Sequence, residues 1–85
     1  MSEPMAPAAK ATLAHIVASI VDDVDAVEVT ETDLGDRARL DVSVADGELG
    51  RVIGRRGRTA ASIRTVTRAA AVIDDVDLDI EFVDD

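Results

Sequence analysis

Val76, Leu78, Ile80 and Phe82 alternate with Asp77, Asp79 and Glu81 near the end of the chain. A period of two places the apolar side chains on one face of a strand and the carboxylates on the other. The pattern occurs twice more. In "AVEVTE" Val27 and Val29 alternate with Glu28 and Thr30, and in "ARLDVSV" Ala38, Leu40, Val42 and Val44 alternate with Arg39, Asp41 and Ser43. Strands that are apolar on one side only belong to a sheet covered by helices on one face. "TDLGDR" joins the first two runs, and its Asp33, Gly35 and Asp36 suit a short hairpin loop.

The rest of the chain changes period. Leu13, Ile16, Val17, Ile20, Val21 and Val24 form one apolar helical stripe, with His15 opposite it on the solvent side. Residues 1–7 carry both prolines and no periodicity, and read as a flexible tail ahead of a single domain spanning 8–85. A short helix is expected from about Asp46, as its N-cap, to Ile53, burying Leu49, Val52 and Ile53. Gly54-Arg55-Arg56-Gly57 interrupts it. A longer helix follows, from Arg58 or Thr59 to about Val72, with Ile63, Val66, Ala70 and Ile73 on its buried face. The order α-β-β-α-α-β gives an α+β fold (α/β in the broad sense). Its three-stranded mixed sheet has the first two strands antiparallel, the third parallel to the second, and three helices on one face.

Composition limits what such a domain can do. The 85 residues are 47% apolar, with Phe82 as the sole aromatic and no cysteine, so the core is aliphatic and thiolate chemistry and disulfides are excluded. One histidine, and carboxylates that mostly alternate along strands toward solvent, leave an enzymatic reading almost without support; no cofactor or metal is implied. Met1–Ala9 lacks the basic and apolar regions of a signal peptide, and no apolar run reaches membrane-spanning length, so a soluble cytoplasmic protein without membrane contact is expected. Formal net charge is −9, compatible with a solubilising coat, adaptation to a high-salt cytoplasm or GC-rich coding.

That charge is segregated. Between Leu49 and Ile73 lie Arg51, Arg55, Arg56, Arg58, Arg64 and Arg68 and no acidic residue, giving +6 and leaving −15 for the rest of the chain. Screening confines each charge to roughly 8 Å at physiological salt, so the local excess matters more than the total. Two glycines around Arg55-Arg56 let the backbone turn sharply and approach a ligand closely. The helix beginning just beyond presents unpaired amides and a positive dipole end. Arg55 and Arg56, flanked by Arg51 and Arg58, add charge-assisted donors for phosphate oxygens. The stretch is neither a Walker A loop nor a dinucleotide fingerprint, because no Gly-Lys-Ser/Thr ends it and a helix, not a strand, precedes it. Arg64 and Arg68, one turn apart and far around the helix from its apolar stripe, read as solvated.

Helix, Gly-x-x-Gly loop, helix is the centre of a KH domain. "VIGRRGRTAASI" resembles the KH signature. The string "LGRVIGRRGRTAASIRTVTRAAA", Leu49 to Ala71, is similar to the small bacterial single-domain KH proteins of the KhpA type. The αββααβ order looks like the type II arrangement, and the resemblance covers nearly all of the chain after residue 10. It implies a non-catalytic cytoplasmic protein that binds single-stranded RNA, as an RNA chaperone or post-transcriptional regulator. Proteins of this type are linked to cell elongation and division, and some pair with themselves or with a second KH-containing RNA-binding protein. Family loops often carry Lys and a polar residue at the middle positions, where this chain has Arg55 and Arg56.

Together these readings place about four nucleotides on Gly54–Gly57 and the first amides of the following helix, from Thr59. Bases would lie in an apolar groove that Val52, Ile53 and Ile63, in part also core residues, help wall against the second strand, and Arg51, Arg55, Arg56 and Arg58 supply the ionic component. Three or four neutralised phosphates give a slope of log K against log salt of roughly −2 to −3. With so few aromatics, stacking contributes little. The loop chemistry serves single-stranded DNA as well as RNA. The alternative is a dimerising adaptor in which nucleic-acid binding is incidental and the small-residue surface Arg68–Ala71 packs against a partner.

Overall fold

Leu13, Val17, Leu40, Val42 and Val52 come from two helices and a strand, and each is at most 1% exposed. In the computed structural model, which describes residues 4–83, they form the centre of one aliphatic core. Helix α1 spans Pro7–Ile20, strand β1 Glu28–Asp33, β2 Ala38–Ser43, α2 Leu49–Ile53, α3 Arg58–Asp74 and β3 Leu78–Phe82, with 3-10 turns at Val24–Ala26 and Arg55–Gly57. The sheet order is β1-β2-β3. β1 and β2 are antiparallel (Glu28 opposite Ser43, Asp33 opposite Ala38), and β2 and β3 are parallel (Ala38 beside Leu78, Val42 beside Phe82). This is the expected mixed sheet. The two long helices lie over it, whereas the short α2 packs on those helices rather than on the strands.

The alternation in β2 and β3 works as read. Ala38, Leu40, Val42, Leu78 and Ile80 face the helices and are buried. On the other face the register aligns Glu28 with Ser43, Thr30 with Asp41 and Glu81, and Arg39 with Asp79, so that face is open and predominantly acidic.

Three carboxylates are not surface ornaments. Glu31 accepts the amides of Met5 and Ala6 at 2.8 and 3.0 Å. Asp74 accepts those of Ala8 and Ala9 at 3.0 and 2.9 Å. Glu48 accepts those of Asp22 and Asp23 at 2.6 and 3.0 Å. The free amides at the start of α1 are thus satisfied from the far end of α3, since Ala6 provides no side-chain cap. Residues 5–7, expected in the tail, belong to the packed structure: Pro7 opens α1 and Ala6 is fully buried.

Local readings of the helices fail in three places. Helix α2 starts at Leu49 and Asp46 does not cap it; Glu48 precedes the helix and turns its carboxylate back to the exit of α1. In α1, Val24 lies beyond the helix and is 51% exposed, although Leu13, Val17 and Val21 are buried as expected. In α3 the buried line is Ala60, Ile63, Thr67 and Ala71, not Ile63, Val66, Ala70 and Ile73. Val66 is 50% and Ile73 81% exposed. α1 packs extensively against α3, and small side chains on the facing line permit that close approach.

Candidate nucleic-acid interface

The Gly54 amide closes α2 by donating to the Gly50 carbonyl at 2.9 Å. Gly54 itself has φ 76° and ψ 174°, a backbone state that L side chains avoid. A Cβ there would stand 2.6 Å from the Cβ of Thr59 and 3.0 Å from its amide nitrogen. The missing side chain therefore lets the exit of α2 lie directly against the first turn of α3, and Thr59 is part of that contact. The chain then turns through Arg55–Gly57, with Gly57 N–H donating to the Gly54 carbonyl at 3.2 Å. Arg56 (φ 57°, ψ 25°) and Gly57 (φ 73°, ψ 13°) are both left-handed. For Arg56 that conformation costs roughly 1–2 kcal/mol. The loop accepts it in order to reverse direction within two residues.

Gly57 is the N-cap of α3 and brings no side chain to the first amides, and the first turn holds no acidic residue. A 17-residue helix thus begins with its positive dipole end uncompensated. Arg55, Arg56 and Arg58 are exposed around it. Among the described residues no carboxylate lies within 4.0 Å of any of the three. Arg51, expected to join them, is engaged elsewhere: its Nη1 is 3.1 Å from Asp22 Oδ2 and 4.0 Å from Glu48 Oε1.

The apolar wall needs correcting as well. Val52 is completely buried and Ile63 is 3% exposed, so both are core residues. Ile53, half-buried, is the one member of the trio with accessible surface. Nor can β2 line a groove, because it is the central strand and its helix-facing side chains are at most 1% exposed. The strand that borders α3 is β3, at the sheet edge.

That border holds residues whose role the sequence reading missed. Arg68 is exposed as expected and Arg64 half-buried, but both reach β3. The Arg64 guanidinium carbon lies 4.9 Å from the centroid of the Phe82 ring, and Arg68 Nε donates to the Leu78 carbonyl at 3.3 Å. Phe82, the lone aromatic at the last position of a strand, was the available signal. Nothing local in sequence joins it to Arg64. The buried carboxylate of Glu48, which holds α1, α2 and Arg51 together, was missed for the same reason.

A helix, a Gly-x-x-Gly turn and a second helix, set against a three-stranded sheet with one antiparallel and one parallel pair, define the KH class of domain. Comparison with known proteins agrees. The family model described as "KhpA/KhpB, KH domain" matches residues 10–81, and the chain belongs to that family. Curated relatives include proteins named RNA-binding protein KhpA. That of Streptomyces coelicolor is 47% identical over 57 residues, covering 67% of this chain and 72% of the relative. That of Halalkalibacterium halodurans is 42% identical over 62 residues (73% and 82%), and that of Chlamydia trachomatis 33% over 76 residues (89% and 97%). No solved structure gives a significant match. Among the described residues no helix is long and apolar enough to cross a membrane.

Proposed function

We propose that this protein binds single-stranded RNA without catalysis. The sugar-phosphate backbone lies across Gly54–Gly57 and the first amides of α3, as the names of its relatives and the loop chemistry together suggest. The observation that carries the reading is that, among the described residues, Arg55, Arg56 and Arg58 have no carboxylate partner around a helix start without a side-chain cap, in a chain with twice as many acidic as basic residues. A cationic group left without a carboxylate in such a chain is available to a polyanion. Ile53 offers apolar surface beside the loop for a base, and the acidic open face of the sheet repels any RNA that strays from the groove. The double variant Arg55→Asp, Arg56→Asp is expected to abolish RNA binding while its circular dichroism spectrum stays that of the wild type. Unchanged binding would refute the loop model. The same grip would hold single-stranded DNA, so binding to both polymers is to be compared. In this reading the protein works in the cytoplasm as an RNA chaperone or post-transcriptional regulator, in processes connected with cell shape.

A second reading, self-association or pairing with another KH-containing RNA-binding protein, draws on a different observation. Val66, Val72 and Ile73 on α3 are 50%, 77% and 81% exposed. Of the small-residue segment Arg68–Ala71, Ala71 is buried in the core, while Arg68 and Ala69 are exposed and remain available to a partner. An Ile73→Asp variant that becomes monomeric in sedimentation, from an associated wild type, would support this reading. A monomeric wild type in the absence of a partner would remove self-association.

A further inference from the structure

Helix α3 and strand β3 run antiparallel: Arg68, later in the helix, reaches Leu78 at the start of β3, and Arg64, a turn earlier, reaches Phe82 at its end. The end of β3 therefore points toward the start of α3 and the Arg55–Gly57 turn. Phe82 is paired in register with Val42 on the helix-covered face, at the rim of the core, and is half-buried. Arg64 lies over its ring and is also half-buried, and among the described residues no carboxylate comes within 4.0 Å of it. Its guanidinium thus sits over an aromatic ring, with no ionic partner among the described residues, along the seam that leads away from the phosphate-binding loop.

We propose that Arg64, supported by Phe82, is the stacking platform for a base of the bound single-stranded RNA, next to the nucleotides whose phosphates the loop holds. This rests on the RNA-binding reading above. A planar guanidinium can carry an aromatic on each face, and the cation-π contact with Phe82 holds the Arg64 head group at the seam in advance. A base has such a plane; a phosphate does not. Among the described residues the β3 edge beside the platform has no strand neighbour on its outer side, so its backbone groups are placed to meet the edge of a stacked base. The arrangement gives this nearly aromatic-free chain a stacking contact that its composition argued against.

The test separates base from phosphate. Binding of a short single-stranded RNA of mixed sequence is compared with that of the same RNA carrying abasic nucleotides, for the wild type, Arg64→Lys and Phe82→Leu. Lysine keeps the charge and loses the plane. Arg64→Lys should weaken binding of the base-containing RNA about tenfold and leave the abasic RNA unaffected. Phe82→Leu should move in the same direction, and if it loses its cooperative thermal transition, Arg64→Lys alone decides. Equal weakening toward both RNAs would make Arg64 a phosphate or structural contact, and no change toward either would make it a packing residue; each overturns the platform while the loop reading stands. Failure of the wild type to bind the mixed-sequence RNA would overturn both.

Discussion

Arg51 and Arg55 stand four residues apart, on either side of Gly54, and meet opposite surroundings. Arg51 is held by Asp22 and lies within reach of Glu48; Arg55, with Arg56 and Arg58, has no carboxylate beside it among the described residues. The division extends through the molecule. Away from the loop, several charges hold the scaffold together: Arg37 pairs with Asp36 and Asp79, Arg39 with Asp41, and Glu31, Glu48 and Asp74 each accept two backbone amides. Asp36, then Asp79, raises the pKa of Arg37 further, so it stays cationic at any accessible pH. Around the loop the charges have no carboxylate partner among the described residues, and no side chain caps the start of α3. Charge on the first side fixes the scaffold, and charge on the second is left for a ligand.

The largest expected effect falls on the scaffold side. Glu48→Ala removes a buried acceptor from the amides of Asp22 and Asp23 and one neighbour of Arg51. Hydrogen bonds to a charged group contribute about 1.5–3 kcal/mol. The thermal midpoint should therefore fall by roughly 10–20 °C for a domain of this size. RNA affinity of the protein that remains folded should change little. A large affinity loss with an unchanged midpoint would erase the distinction between the two regions.

Gly54 and Gly57 sharpen it next. Gly54→Ala drives a Cβ into Thr59 and strains a positive φ, whereas Gly57→Ala meets open space and bears only the left-handed strain of roughly 1–2 kcal/mol. Chemical denaturation should show the larger loss for Gly54→Ala, together with weakened RNA binding. Equal losses would mean that the α2–α3 contact does not set the loop.

The smallest effect concerns Thr67, completely buried on α3, whose Oγ1 finds no hydrogen-bond partner among the described residues. Thr67→Val removes the unsatisfied hydroxyl at nearly constant shape, and should raise the midpoint by the equivalent of about 1 kcal/mol. A lower midpoint would reveal a hydroxyl that is satisfied in solution.

The sequence made legible whatever depends on a neighbour one or two residues away. Alternation through Leu40–Val42 and Leu78–Ile80 set the strands and their inner face, and the two glycines set the break between α2 and α3. It concealed what depends on distant partners. Glu48 satisfies amides 25 and 26 residues earlier, and Asp74 satisfies amides 65 and 66 residues earlier. Neither leaves a local trace, which is why Asp46 looked like the better cap. Hydrophobicity also misplaced the inner line of α3, because the approach of α1 selects small side chains at Ala60, Thr67 and Ala71 over the bulkier Val66 and Ile73. At the candidate interface the loop and the burial of Val52 and Ile63 were visible, while the engagement of Arg51 and the Arg64–Phe82 contact required the third dimension.

The salt dependence of RNA affinity tests the central distinction most directly. Three free arginines on a single strand correspond to a slope of log K against log salt near about −2, each neutralised phosphate contributing about −0.7. Arg55→Ala should make the slope shallower by about 0.7, and Arg51→Ala should leave it unchanged. Equal changes in the two variants, or a wild-type affinity indifferent to salt, would contradict the account.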